Sequence, residues 1–315
     1  MRLSNVKSDK QAVVLFFFLA YGIAWVLWLP LVLSRHGLDL LPVDLPLSAL
    51  LPGACAPTLA AYLAHRWCCG NWRAVDFVRG WRRAWRGILV ASLLLLMGEV
   101  VIPVLFLTKT PAADLPWREL ITYPFWVVNV HILVASPLGE EPGWRGYALP
   151  KLQGLAGPVW ASLLLGLVWA LWHLPLFLVK GWTSASVPSF IMIVIGCSTI
   201  ITFAFNWSGG SVLVAVIAHS AMNACPRFLR GLLAGTPTRE DWSWELVMGL
   251  SLLALAGLLI AFTRARLGET NAEIRSKDPF EMLADNLAEP CAAPNGGPAA
   301  SADNSKVTEG PPSVS

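Results

Sequence analysis

Glu140 and Glu141 stand side by side in GEEPGWRG, Gly139 to Gly146, on the flank of an apolar stretch. Ionisable groups inside a bilayer are expensive, so each one calls for a reason. On a helix Glu141 and Arg145 are four apart and can pair. Glu140 is rotated about 100° from Glu141 and points elsewhere. One carboxylate held as an ion pair beside one that stays available is a useful division for base chemistry. In an apolar site Glu140 would be tuned toward a general base. A charged loop at the end of a membrane span accounts for the same residues equally well.

Two further polar clusters lie in apolar stretches. His173 sits in WALWHLP with Trp169 one turn before it on the same face, and Pro175 frees the Leu171 carbonyl. His219 and Asn223, in AHSAMNA, are four apart and share a helix face. Each cluster alone reads as a buried histidine or as interhelical glue. Together, a free carboxylate, two imidazoles and an amide on three separate helices make a hydrolytic site. Glu99, Asn129 and His131 are read as groups that pair with one another or line the same cavity.

The elements that must position them are membrane helices. Of the 315 residues 56% are hydrophobic and only 14% are charged. A soluble domain carries about 25% charged residues. That excludes an ordinary soluble enzyme, a wholly disordered chain, a collagen-like chain and a disulfide-stapled secreted domain. Eight stretches are long and apolar enough to span: 12–33, 47–65, 87–108, 120–148, 158–179, 188–207, 211–226 and 243–263. The expected fold is all-α, a polytopic membrane helix bundle of about eight transmembrane helices over 1–263. Residues 264–315 are expected to form a cytoplasmic, largely disordered tail, rich in Pro, Ala, Gly and Ser.

Placing the N-terminus inside puts 16 of the 23 Lys and Arg on the cytoplasmic side. Both termini are therefore expected in the cytoplasm. The loop Arg66–Arg86 decides this almost alone, and its four tryptophans suit the headgroup level. No basic run resembles a nucleic-acid tract. The six cysteines form no CxxC pair and imply neither a disulfide framework nor a zinc site. Cys68 and Cys69 beside a span suit packing better than acylation.

Depth constrains the site further. His219 lies about 13 Å into its span and His173 about 22 Å into its own, at 1.5 Å per residue. A Glu140 at the end of the fourth span would be too shallow to meet them. GEEPGWRG is therefore expected inside a helix continuing to about Leu149.

The trio EExxxR, aromatic-xxx-His and HxxxN, in that order on separate spans, resembles the CPBP family of intramembrane proteases, the Abi group. That family includes the type II CAAX prenyl endopeptidases. The resemblance covers roughly Leu120 to Arg227, a protease-like core of about 120–227. It matches at Glu140, Glu141 and Arg145, at His173, and at His219 and Asn223. The usual Phe of the second motif is Trp169 here, a change of shape that keeps the ring. The resemblance implies that Glu140, aided by His173, activates water against a scissile peptide carbonyl. It implies that His219 and Asn223 stabilise the oxyanion, and that Glu141 and Arg145 hold the motif in shape. An older view of the family is metal-dependent, with Glu140, His173 and His219 as zinc ligands; the first choice is a site with no cofactor, since HExxH is absent.

The implied activity is an intramembrane endopeptidase acting on a membrane-associated or lipidated peptide or protein, in the plasma membrane if the source is bacterial. The alternative is a non-enzymatic membrane protein, a transporter or an assembly or immunity factor, with the same polar groups serving ion binding or packing.

Overall fold

Backbone polar groups in hydrocarbon must be satisfied within the chain, and a helix does this locally. The computed structural model describes residues 9–69, 81–129, 136–233, 237–239 and 241–268. Among them the regular structure is helical, apart from one bridge between Thr108 and Thr238. We label the main helices α1 Asp9–Leu33, α2 Ala56–Cys69, α3 Trp81–Leu96, α4 Pro137–Gly143, α5 Leu149–Trp172, α6 Val187–Trp207, α7 Val212–Leu232 and α8 Trp244–Phe262. The tail expected to be disordered lies, beyond Gly268, outside the described residues, as does His131.

Six stretches of the described residues are long and apolar enough to cross a membrane. One of them, Pro137–Leu178, has 42 residues. At 1.5 Å per residue that is about 63 Å, twice the hydrocarbon thickness of about 30 Å. Gly157, at φ 74° and ψ 167°, breaks it into two rods. A side chain would be strained at that φ, and Pro158 cannot donate the next backbone bond. A shorter apolar helix, Val212–Cys225, carries the third motif. The protein is thus an integral multi-pass membrane protein, and eight was an approximate count of its spans.

One boundary differs from expectation. The stretch 120–148 is not a single helix. Tyr123–Val127 is a short helix of its own, and α4 begins afresh at Pro137. Ser136 itself, at φ −157° and ψ −40°, lies outside helical geometry. From there the chain stays helical through GEEPGWRG. A wide π turn, Trp144–Ala148, joins α4 to α5. Pro142 and Pro150 flank that turn, and each withholds an N–H from the ordinary ladder.

Small residues let the helices approach. α1 turns Phe16, Ala20, Ala24 and Trp28 inward, and α2 meets it with Ala56, Ala60, Ala61 and Ala64. α4 lies on the start of α2 through Gly139 and Gly143, and Thr58 Oγ1 donates to the Gly139 carbonyl at 2.6 Å. With glycine on that face, the neighbouring Glu140 and Glu141 are left to face the bundle interior.

A β-carbon on Gly143 would stand 2.3 Å from the Pro57 carbonyl oxygen. Gly143→Ala is expected to lower stability by about 1–3 kcal/mol. Gly154→Ala, whose β-carbon would meet nothing within 4 Å beyond its own stretch of helix, is expected to be neutral or mildly stabilising. Thermal unfolding of both variants in detergent checks the contrast.

Candidate active site

The two carboxylates of α4 meet different partners. Glu141 is fully buried, and its Oε1 accepts from Arg145 Nη1 at 2.9 Å, one turn along. The same oxygen lies 2.8 Å from Nδ1 of His219, on α7. A carboxylate oxygen facing a cation only accepts, so Nδ1 carries a proton and Nε2 is the end turned to the cavity. Arg145 is buried too, and its guanidinium lies 4.5 Å over the Trp169 ring.

Glu140 is also buried, and its partners are indoles. Trp169 Nε1 donates to Oε2 at 2.7 Å, and Trp144 Nε1 donates to the same oxygen at 3.3 Å. The carboxylate is thereby oriented by neutral donors, while Glu141 takes the cation. Trp169 is more than a change of shape. Its N–H supplies a bond to Glu140 that the phenylalanine usual in the second motif has no atom to make.

His173 is the first residue past α5, not a residue deep inside it. Pro175 withholds the N–H that would continue the helix, and a 3-10 turn, Leu174–Leu178, follows. His173 Nδ1 lies 2.9 Å from the Trp169 carbonyl. A carbonyl only accepts, so Nδ1–H donates and Nε2 is the basic nitrogen. The ring lies between Trp28 and Trp182, near parallel to both, with Trp172 edge-on. Trp169 thus touches Glu140 with its indole and His173 with its carbonyl.

Glu140, His173, His219 and Asn223 line one cavity of about 950 Å³, together with Trp169 and Ser136. Ser136 was not singled out by its sequence context. Its Oγ accepts from Asn223 Nδ2 at 3.2 Å and lies 3.4 Å from His219 Nε2. The only local signal for it was a serine preceding a proline. Glu99 reaches the same cavity from a π turn, Met97–Val101, that continues α3, and Cys197 Sγ donates to it at 3.4 Å.

A zinc ion would need Glu140, His173 and His219 together. Glu140 takes two indole donors, and Nδ1 of each histidine faces an oxygen acceptor, which leaves Nε2 as the nitrogen for a further bond. Among the described residues no three His, Cys, Asp or Glu side chains gather as a ligand group. No step is drawn through a metal.

A polytopic helical membrane protein in which buried Glu140 and His219 meet half-buried His173 and Asn223, from three segments, is the class that fold and site define. Residues 122–225 match the family described as type II CAAX prenyl endopeptidase Rce1-like. That segment holds all three motifs. CAAX prenyl protease 2 of Methanococcus maripaludis is 30% identical over 106 residues, 31% of this chain. The aligned part spans only 39% of that relative's length. Over this third of the chain, the resemblance to CAAX prenyl endopeptidases is shown.

Removing one partner of a buried ion pair leaves the other charge uncompensated. Arg145→Met is expected to lower stability by about 3–5 kcal/mol. Arg145→Met with Glu141→Leu should regain part of that loss. A double-mutant cycle on denaturant unfolding in detergent measures both.

Proposed function

We propose that this chain is an intramembrane endopeptidase acting on a membrane-associated, lipidated peptide or protein. One observation carries the reading. Glu140, His173, His219 and Asn223, from three separate segments, line a single cavity in the part of the chain similar to CAAX prenyl endopeptidases.

In the proposed reaction Glu140 accepts a proton from a water in the cavity, with His173 Nε2 as a second acceptor across the pocket. The hydroxide attacks the scissile carbonyl carbon. Protonated His219 at Nε2 and Asn223 at Nδ2 donate to the oxygen as it gains charge. Donors already held in place by the bundle need little reorganisation as the charge develops. Glu140 then returns its proton to the leaving amine. Glu141 with Arg145 keeps His219 oriented through Nδ1. The apolar side of the cavity, with Trp28, Leu176, Trp182 and Phe190, suits a lipid chain or apolar side chains. The Lys and Arg bias supports both termini in the cytoplasm.

Glu140→Gln keeps the shape and removes the base. It is expected to lower kcat by at least about 100-fold, with His173→Ala and His219→Ala each losing a comparable factor. Hydrolysis of a quenched fluorescent farnesylated CAAX peptide by full-length protein in proteoliposomes reads this. Full activity of all three folded variants would sink the reading.

Activity is expected to survive exhaustive dialysis against a zinc chelator. Loss on chelation with recovery on added zinc would instead favour a metal-dependent site. The same peptide assay, with metal content measured alongside, decides.

A further inference from the structure

Serine is favoured at a helix N-cap because its hydroxyl accepts an N–H of the first turn. Ser136 stands at the N-cap of α4, yet its side chain makes no cap bond. The hydroxyl is turned across the cavity to α7, between Asn223 Nδ2 and His219 Nε2, at 3.2 and 3.4 Å. Its backbone is meanwhile tied to the base. The Ser136 carbonyl accepts the N–H groups of Gly139 and Glu140, each at 2.9 Å. One oxygen, half-buried and on the cavity wall, therefore sits at the point where both polar groups of α7 aim.

We propose that Ser136 Oγ stands in for the scissile carbonyl oxygen in the free protein. The proposal rests on the oxyanion role given above to His219 and Asn223. Ser136 is then a positioning residue. It keeps the two donors converged on one point, and a turn about its χ1 releases that point to an entering peptide carbonyl. No covalent bond to Ser136 forms or breaks. The spacing Ser136, His219, Glu141 is also the order of an activated nucleophile and its base. One feature favours the stand-in. Glu141, which would have to orient and charge-balance His219 as a nucleophile's base, is already shared with Arg145.

The test is Ser136→Ala in full-length protein in proteoliposomes, with the farnesylated CAAX peptide as probe. Removing one competing hydrogen-bonded oxygen should lower KM about three- to tenfold and leave kcat within about threefold. Ser136→Thr, which keeps the hydroxyl, should restore the higher KM. Unchanged KM in Ser136→Ala overturns the proposal. So does a kcat as low as that of Glu140→Gln, or a covalent adduct on Ser136 with a phosphonofluoridate, since either makes Ser136 the nucleophile.

Binding gives a readout that needs no turnover. A farnesylated peptide aldehyde, titrated calorimetrically in nanodiscs, should bind Ser136→Ala about three- to tenfold tighter than the parent. Asn223→Ala in that background should remove the gain. Equal affinity overturns the proposal, and absence of binding by every variant overturns it together with the peptidase reading. If Glu140→Gln is inactive while Ser136→Ala is indistinguishable from the parent in both assays, only the stand-in fails.

Discussion

Two buried carboxylates a single residue apart, with one buried guanidinium to answer them, constrain the rest of this bundle. Moving a charge out of water costs several kcal/mol even after relaxation, and a buried ion stripped of its partner is strongly destabilising. Arg145 answers Glu141 from the same helical rod, a local pairing that any helix through this motif can make. His219 arrives from α7, and that contact requires the tertiary fold. α4 must be pressed against α2 on its glycine face so that its acidic face meets α7. Gly139 and Gly143 on one side and Glu141 on the other are two faces of the same requirement.

The aromatic residues divide the labour between the carboxylates. Trp144 and Trp169 give Glu140 two neutral donors, and the Trp169 ring also covers the Arg145 guanidinium. Glu140 is thus oriented by neutral donors while Arg145 and His219 bond to Glu141, which leaves it available as a base. Trp169 further anchors His173 through its carbonyl, so one residue sets the orientation of both groups proposed to handle the proton. Its indole N–H gives Glu140 a donor that a phenylalanine at that place would lack.

Much of this was legible in the chain. The apolar runs dictate helices because hydrocarbon offers the backbone no other partner. The pairing of Glu141 with Arg145 follows from their spacing, and so does the shared face of His219 and Asn223. Continuity of the helix through GEEPGWRG was required by depth alone. What was not legible involves residues with weak local signals. Pro137 restarts a helix inside an apolar stretch whose hydropathy shows no break. Pro175 ends α5 and puts His173 at its end, although the composition on either side is equally apolar. Ser136 looks like any serine before a proline until its hydroxyl is seen turned away from the helix it should cap.

The sequence by itself determined a helical membrane protein and the cast of its polar groups, because burying a charge in a bilayer is costly enough to be visible residue by residue. Only the tertiary structure decided who meets whom: Glu140 with two indoles, Glu141 with His219, and Ser136 with both polar groups of α7. Helical spacing reports neighbours within a turn or two of the same rod. Contacts between rods depend on how closely glycines and alanines let them approach, and on where a proline stops one helix and starts the next.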